Sequence, residues 1–509
     1  MEIAIGESIL EFLFTVFIRE YPRHPRSNPA WQRCVHTISG PALLILNDTI
    51  MKSWVKRGWQ MQAILCIAWV NGIAQIGSRP NILLIITDQQ TADAMSNAGN
   101  KDLHTPAMDK LAANGVRFTK AYCAQPLCTP SRTAMMSGKM PFQTGFVGNA
   151  DEKDGQWPDS LLMMGKIFQN SGYQTGYVGK WHLPVPVGKI SQHGFETIQN
   201  TNFLDYNDAA TPSFCASFIR KNREKPFLLV ASFLNPHDIC EWARADPLKM
   251  DVLGAAPDSS LCPQLPANWN IPANEPPVVR EQQKVSFRTY PTVNWSDGQW
   301  RQYRWAYNRL VEKVDVYIEM VLASLKKYGV EKNTIIVFTA DHGDGYAAHK
   351  WNQKQILYEE AAKVPFIISN IGAWKGRTDN MLVCNGTDII PTICGFAGIA
   401  APAYLTGADI SKRITQPATS LRDTLVIETD FADNDVLLGI SGRAVITNNF
   451  KYIVYNKGNP REQLFDLAKD PGEMINLAVN TLYRNKLLAL RNYLKKWCRS
   501  NGDHFNSGL

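Results

Sequence analysis

Three short runs in this chain are apolar at every position, and each ends in side chains that carry ligand-type oxygens or nitrogens. Residues 82–86 lead to Asp88-Gln89, residues 227–231 to Asn235-Pro236-His237-Asp238, and residues 335–338 to Asp341-His342. A strand with one wet face alternates polar and apolar, so an unbroken run is a strand buried on both faces, as in a helix-covered parallel sheet. In open sheets of that kind ligands bind beyond the carboxyl ends of the strands. Between the runs lie helical patterns. Within 300–328, Tyr303, Ala306, Tyr307, Leu310, Val314 and Ile318 recur at helical spacing. This alternation predicts an α/β chain with a doubly wound sheet domain.

At 509 residues the chain exceeds what one core supports. The texture changes near residue 412. Residues 443–447 and 451–455 flank Asn448-Asn449-Phe450, a hairpin signal, and an amphipathic helix is expected over about 481–498. We expect a main domain at 79–411 and a smaller C-terminal α+β subdomain at 412–509, a short antiparallel sheet plus a helix. Residues 241–298 hold Pro, Asn, Asp and Trp with little periodicity. A long loop of that kind is read as a substrate-facing wall bearing Trp269, Trp295 and Trp300.

The amino-terminal region reads as processing signals. Lys52, Lys56 and Arg57 precede the apolar segment 63–70 and then Gly72-Ile73-Ala74, the layout of a secretory signal. We expect 51–76 to be a signal peptide, 1–50 a non-native extension ahead of a start at Met51, and the protein to be exported, periplasmic or secreted. The apolar segment is too short for a stable membrane span, and Leu65 before Cys66 argues against lipid attachment. A net charge of +7 without a dense basic run excludes a nucleic-acid partner and suits an anionic substrate. Ten irregularly spaced cysteines define no zinc unit. Cys384 with Cys394, and Cys215 or Cys240 with Cys262, are open pairings, as are free thiols.

The stretch Cys128-Thr129-Pro130-Ser131-Arg132 runs from a Pro-punctuated loop into a helix that Ser131 or Thr129 is placed to cap. Cys128 then lies near a helix N-terminus beside a cation, where a thiol pKa falls and anions are favoured.

Cys-Thr-Pro-Ser-Arg resembles the signature of the type I, formylglycine-dependent sulfatases of the alkaline phosphatase-like superfamily, in particular bacterial exported arylsulfatase-like members. The resemblance extends through Ser137-Gly138-Lys139, 172–182 and Thr339-Ala340-Asp341-His342-Gly343-Asp344, and covers roughly residues 79–495. It implies that Cys128 is oxidised to formylglycine by a formylglycine-generating maturation enzyme, and that Asp88, Gln89, Cys128, Asp341 and His342 bind one divalent cation. Calcium is implied. Manganese stays open because Gln89 and His342 stand where many members carry Asp and Asn. One hydroxyl of the hydrated aldehyde attacks sulfur, and the second permits release of sulfate by elimination. Arg132 would hold formylglycine and offset negative charge. Lys180 and His182, two apart on an extended segment, would meet the sulfate and a formylglycine hydroxyl. His237 would donate a proton to the leaving alcohol, Lys354 would contact the sulfate and leaving oxygen, and His349 is read as a substrate contact.

The function implied is a sulfuric ester hydrolase acting on a sulfated glycan. A phosphonate or phosphodiester hydrolase of the same superfamily, and a secreted glycan-binding homologue without catalysis, are the alternatives. The intact set Cys128, Arg132, Lys180, His182, His237 and Lys354 argues against the last.

Overall fold

A computed structural model describes residues 79–505 apart from 150–156, 202–206, 249–252, 286–289, 418 and 434–435. The expected extension, signal peptide and Cys66 lie outside the described residues. The main sheet has eight strands: β1 (Asn81–Asp88), β2 (Gly115–Tyr122), β3 (Gln174–Gly179), β4 (Thr197–Gln199), β5 (Phe227–Pro236), β6 (Thr334–Ala340), β7 (Phe366–Ser369) and β8 (Arg377–Cys384), in the order β4-β3-β5-β1-β6-β7-β2-β8. All pairings are parallel except those of β7, which runs antiparallel to both β6 and β2.

The unbroken apolar run of β1 has a direct explanation. Ile82, Leu84 and Ile86 enter one buried cluster, while Leu83 and Ile85 enter another on the opposite face. Each face is covered. The helix Asn385–Ala397 lends Ile389, Ile390 and Ile393 to the first, and the long helix Asp297–Lys327 lends Tyr303, Leu310 and Val314 to the second. Ser296 starts the long helix with a reciprocal capping box to Gln299.

The second sheet is antiparallel, β12-β11-β10-β9, with β9 Thr424–Asp433, β10 Val436–Thr447, β11 Phe450–Tyr455 and β12 Glu462–Asp466. The predicted hairpin is β10–β11, paired Arg443 to Val454 through Ile446 to Lys451. Val445, Val454 and Leu464 face Leu487, Leu490 and Leu494 of the helix Arg484–Asn501. Ala444, Ile446 and Ile453 face Leu357 and Tyr358 of the main domain.

Two expectations are corrected and one open alternative is decided. Trp269, Trp295 and Trp300 do not stand free as a substrate wall: they pack edge-to-face, centroids 5.3 and 5.5 Å apart, with Trp300 buried in the second core cluster and Trp269 and Trp295 half-buried against it. Burial of so much apolar ring area outweighs the polar texture of their loop. None of the candidate cysteines is bonded. Cys384 and Cys394 belong to different clusters, and Cys240 is turned toward Gln89. Finally, neither Ser131 nor Thr129 caps the helix Cys128–Ser137. Its N-cap is Leu127 without a side-chain cap, and Ser131 Oγ donates instead to the Asp341 carbonyl.

Candidate active site

The site lies where β1, β3, β5 and β6 end. Parallel pairing of β1 with β5 and β6 delivers Asp88, Pro236 and the residues after Ala340 to one edge of the sheet. The helix Cys128–Ser137 then brings Cys128, its first residue, to that edge.

Cys128 is buried at 1 % exposure. Lys354 Nζ lies 2.9 Å from its sulfur and His342 Nε2 3.2 Å. His182 and His237 lie close to it, and it acts to raise the pKa of both against burial. Burial and Asp88 push the thiol pKa up, but Lys180, Lys354 and His342 together hold it well below its usual value.

Arg132, one turn along the helix, spans two carboxylates. Its Nη2 donates to Asp88 Oδ2 at 2.8 Å and its Nε to Asp341 Oδ2 at 2.9 Å. Its Nη1 donates to the Lys180 carbonyl and to Ser232 Oγ. The expectation that Arg132 holds residue 128 is therefore corrected: its donors are directed at Asp88 and Asp341, which its planar fork fits. Lys180 Nζ adds a second cation contact to Asp88 at 2.6 Å. Burial raises the Asp88 pKa, yet Lys180 and Arg132 hold it well below the carboxylate range.

Four of the five predicted metal ligands converge. Ligand atoms of Asp88, Cys128, Asp341 and His342 all lie within 4.8 Å of one another. His342 Nδ1 is 2.8 Å from the Gly343 carbonyl, which only accepts, so Nδ1 carries a proton and Nε2 is the atom that faces Cys128. Burial, then the neighbouring Asp88 charge, pushes the Asp341 carboxyl up. A divalent cation would relieve that repulsion, so donor chemistry and electrostatics both fit one. Gln89 is held differently. Its Nε2 donates to Asp344 Oδ2 at 2.8 Å, and its Oε1 accepts from Lys354 Nζ at 3.2 Å.

His182 and His237 approach from other segments. His182 takes a left-handed backbone, φ 45°, so the predicted extended geometry of Lys180–His182 is absent, although both still reach Cys128 or Asp88. The His182 Nδ1 is buried without a hydrogen-bond partner. His237 Nδ1 lies 3.8 Å from Glu241 Oε2. Burial, with Lys180 and Lys354, lowers the His237 pKa to about 4.

His349 is not at this site. It is fully buried, stacked on Tyr358 with centroids 4.1 Å apart, and its Nε2 is 3.7 Å from Glu360. The ring prefers that stack to solvent, which corrects its reading as a substrate contact. Sequence reasoning missed Asp344, Tyr303 and Ser232. Asp344 accepts from Gln89, from Tyr303 Oη at 2.8 Å and from the Gln353 N–H at 3.0 Å, and so ties β1, the long helix and the Lys354 loop together. The only sequence signal for it was its place two residues after His342.

With this geometry in hand, the sequence profile of the sulfatase family matches residues 80–399, and that of the C-terminal region of N-sulphoglucosamine sulphohydrolase matches 347–500. A Δ4,5-hexuronate-2-O-sulfatase of Bacteroides thetaiotaomicron is 30% identical over 456 residues, spanning 87% of this chain and 93% of that protein. An ulvan-active sulfatase of Formosa agariphila is 28% identical, spanning 84% and 83%. The solved structure of a 2-O GAG sulfatase superposes with a TM-score of 0.74 at 30% identity, covering 84% of this chain and 93% of that one. A phosphonate monoester hydrolase of Agrobacterium radiobacter, at 20% identity and TM-score 0.63, shares the fold.

Proposed function

The chain belongs to the sulfatase family, and from that premise we propose that it removes sulfate from a sulfated saccharide at residue 128, matured to formylglycine. One observation carries this reading. Lys354 Nζ and His342 Nε2 lie 2.9 and 3.2 Å from Cys128 Sγ, and Lys180, on Asp88, with His182 and His237 complete one buried cationic and imidazole cluster around it. That sulfur stands in for an oxygen on the same carbon in the matured residue. A tetrahedral anion needs such a cluster of donors, and burial multiplies their effect.

Formylglycine, when formed, supplies two hydroxyls on one carbon, and a divalent cation, when bound, favours the ionised hydroxyl. Asp88, Asp341 and His342 would hold that cation, which we assign as calcium because carboxylate oxygens lead the donor set. Arg132 holds Asp88 and Asp341 apart at fixed geometry. Lys180 and Lys354 neutralise sulfate oxygens. His237 is kept neutral by burial and by those lysines. An arriving sulfate cancels the lysine charges, so His237 gains its proton with the substrate and passes it to the leaving alcohol. A formylglycine-generating enzyme is the required partner, and export through 51–76 suits a polymeric substrate.

The saccharide assignment is supported by the relatives named for hexuronate and ulvan sulfates. The test is sulfate release from a panel of sulfated oligosaccharides with a phosphodiester control, on protein whose residue 128 is checked by peptide mass spectrometry. Sulfate release that disappears in Cys128→Ala is expected. Substantial turnover by Cys128→Ala, or a preference for the phosphodiester, would overturn the reading.

A further inference from the structure

The helix Arg484–Asn501 carries six cations, Arg484, Lys486, Arg491, Lys495, Lys496 and Arg499, and no acidic residue. The net charge of the whole chain is +7, so nearly all of it resides on this helix. Arg491 pairs with Glu462. The other five are exposed. Lys486 lies over the Phe450 ring, and Arg484, Lys495, Lys496 and Arg499 make no ion pair among the described residues.

This arrangement works against the helix itself. Arg484 and Lys486 stand in its first turn, where the dipole disfavours cations. Arg491 with Lys495, and Lys495 with Arg499, are like-charge pairs one turn apart. Packing needs none of the exposed cations, since Leu487, Leu490, Leu494 and Cys498 form the inner face. At about 100° and 1.5 Å per residue, Arg484, Lys495 and Arg499 fall within roughly 60° of one another along roughly 22 Å. They form a stripe.

We propose that this stripe is an anchoring site for a sulfated polysaccharide chain, separate from the candidate active site. The proposal rests on the sulfated-glycan reading above. A polymer carrying sulfates at regular intervals complements a row of unpaired cations, and its binding releases counterions. An anionic lipid surface fits less well. The outward apolar residues Leu488 and Tyr493 point about 140° apart at helical spacing and form no face that could insert.

The experiment is salt elution from immobilised heparin, comparing the full chain with the triple variant Arg484→Gln, Lys495→Gln, Arg499→Gln. The full chain should be retained and the variant should bind at least about tenfold more weakly. Sulfate release from a sulfated disaccharide should be unchanged in the variant, while KM on a sulfated polysaccharide rises several-fold. Equal retention of both proteins overturns the proposal. Binding to phosphatidylserine vesicles without retention on heparin overturns it in favour of a membrane. Retention of the full chain that is lost in the variant, without sulfate release from any substrate, would uphold the stripe and sink the functional reading, so the two fail separately.

Discussion

Lys354 Nζ lies 2.9 Å from Cys128 Sγ although the two residues are 226 positions apart, and both are buried. The Cys128 sulfur and Asp88 in turn hold the ammonium protonated against the penalty of burial, with Cys240 also acting in that sense. A fixed cation beside the reacting atom stabilises charge without reorganising. Lys354→Ala is expected to reduce kcat on a sulfated saccharide by about 10²–10³-fold, the effect of deleting one preorganised donor. Steady-state kinetics on fully matured protein measures this, and a loss under about threefold would remove Lys354 from the mechanism.

Arg132 is the shared counterion of Asp88 and Asp341. Arg132→Met leaves two buried carboxylates to repel each other, and breaking such a pair is worth about 3–5 kcal/mol. Metal-free variant should melt well below the parent. Added calcium should restore much of the difference, because the cation takes over the same charge. Melting curves with chelator and with calcium decide this; an equal deficit in both would show that Arg132 acts through packing alone.

His237→Ala should discriminate between leaving groups. A sugar alcohol leaves poorly and needs a proton, whereas a nitrophenolate needs little help. The expected loss is about 10²–10⁴-fold on sulfated sugars and far less on nitrophenyl sulfate. Parallel losses on both would make His237 a sulfate-positioning residue.

Glu428 offers a stability test away from the chemistry. Its side chain is fully buried and accepts the Phe142 N–H at 2.8 Å, and burial, opposed by Arg443, raises its pKa to about 8 from an ordinary 4.5. The folded chain therefore holds a proton that the unfolded chain has released between about pH 4.5 and 8. Its contribution to stability is full below that window and is lost as pH rises through it. Glu428→Gln keeps the neutral form and the Phe142 contact, while Arg443 retains Asp503. The variant should match the parent near pH 5 and melt higher at pH 8.5. A variant less stable than the parent at pH 8.5 would show that Glu428 is ionised there and paired.

The sequence alone determined the features set by local pattern. Unbroken apolar runs at 82–86, 227–231 and 335–338 required strands buried on both faces, and the polar residues after them named the edge where the site forms. The spacing from Tyr303 to Ile318 required the long helix, and Cys128 through Arg132 marked the helix whose first residue stands at that edge. The tertiary structure decided which groups answer one another. Arg132 meets partners 44 and 209 positions away, and no local pattern distinguishes those carboxylates from residue 128 itself. Trp269, Trp295 and Trp300 occupy a segment of polar texture, yet large rings gain most by burial, so the fold drew Trp300 into the core and packed the other two against it. His349 followed Tyr358 for the same reason, and the thiols of Cys384 and Cys394 were separated into different clusters. Asp344 was legible as a motif letter and no more, because what it does depends on Gln89 and Tyr303 arriving from β1 and from the long helix. Periodicity fixes which face of an element is buried. Only the packed chain fixes what that face meets.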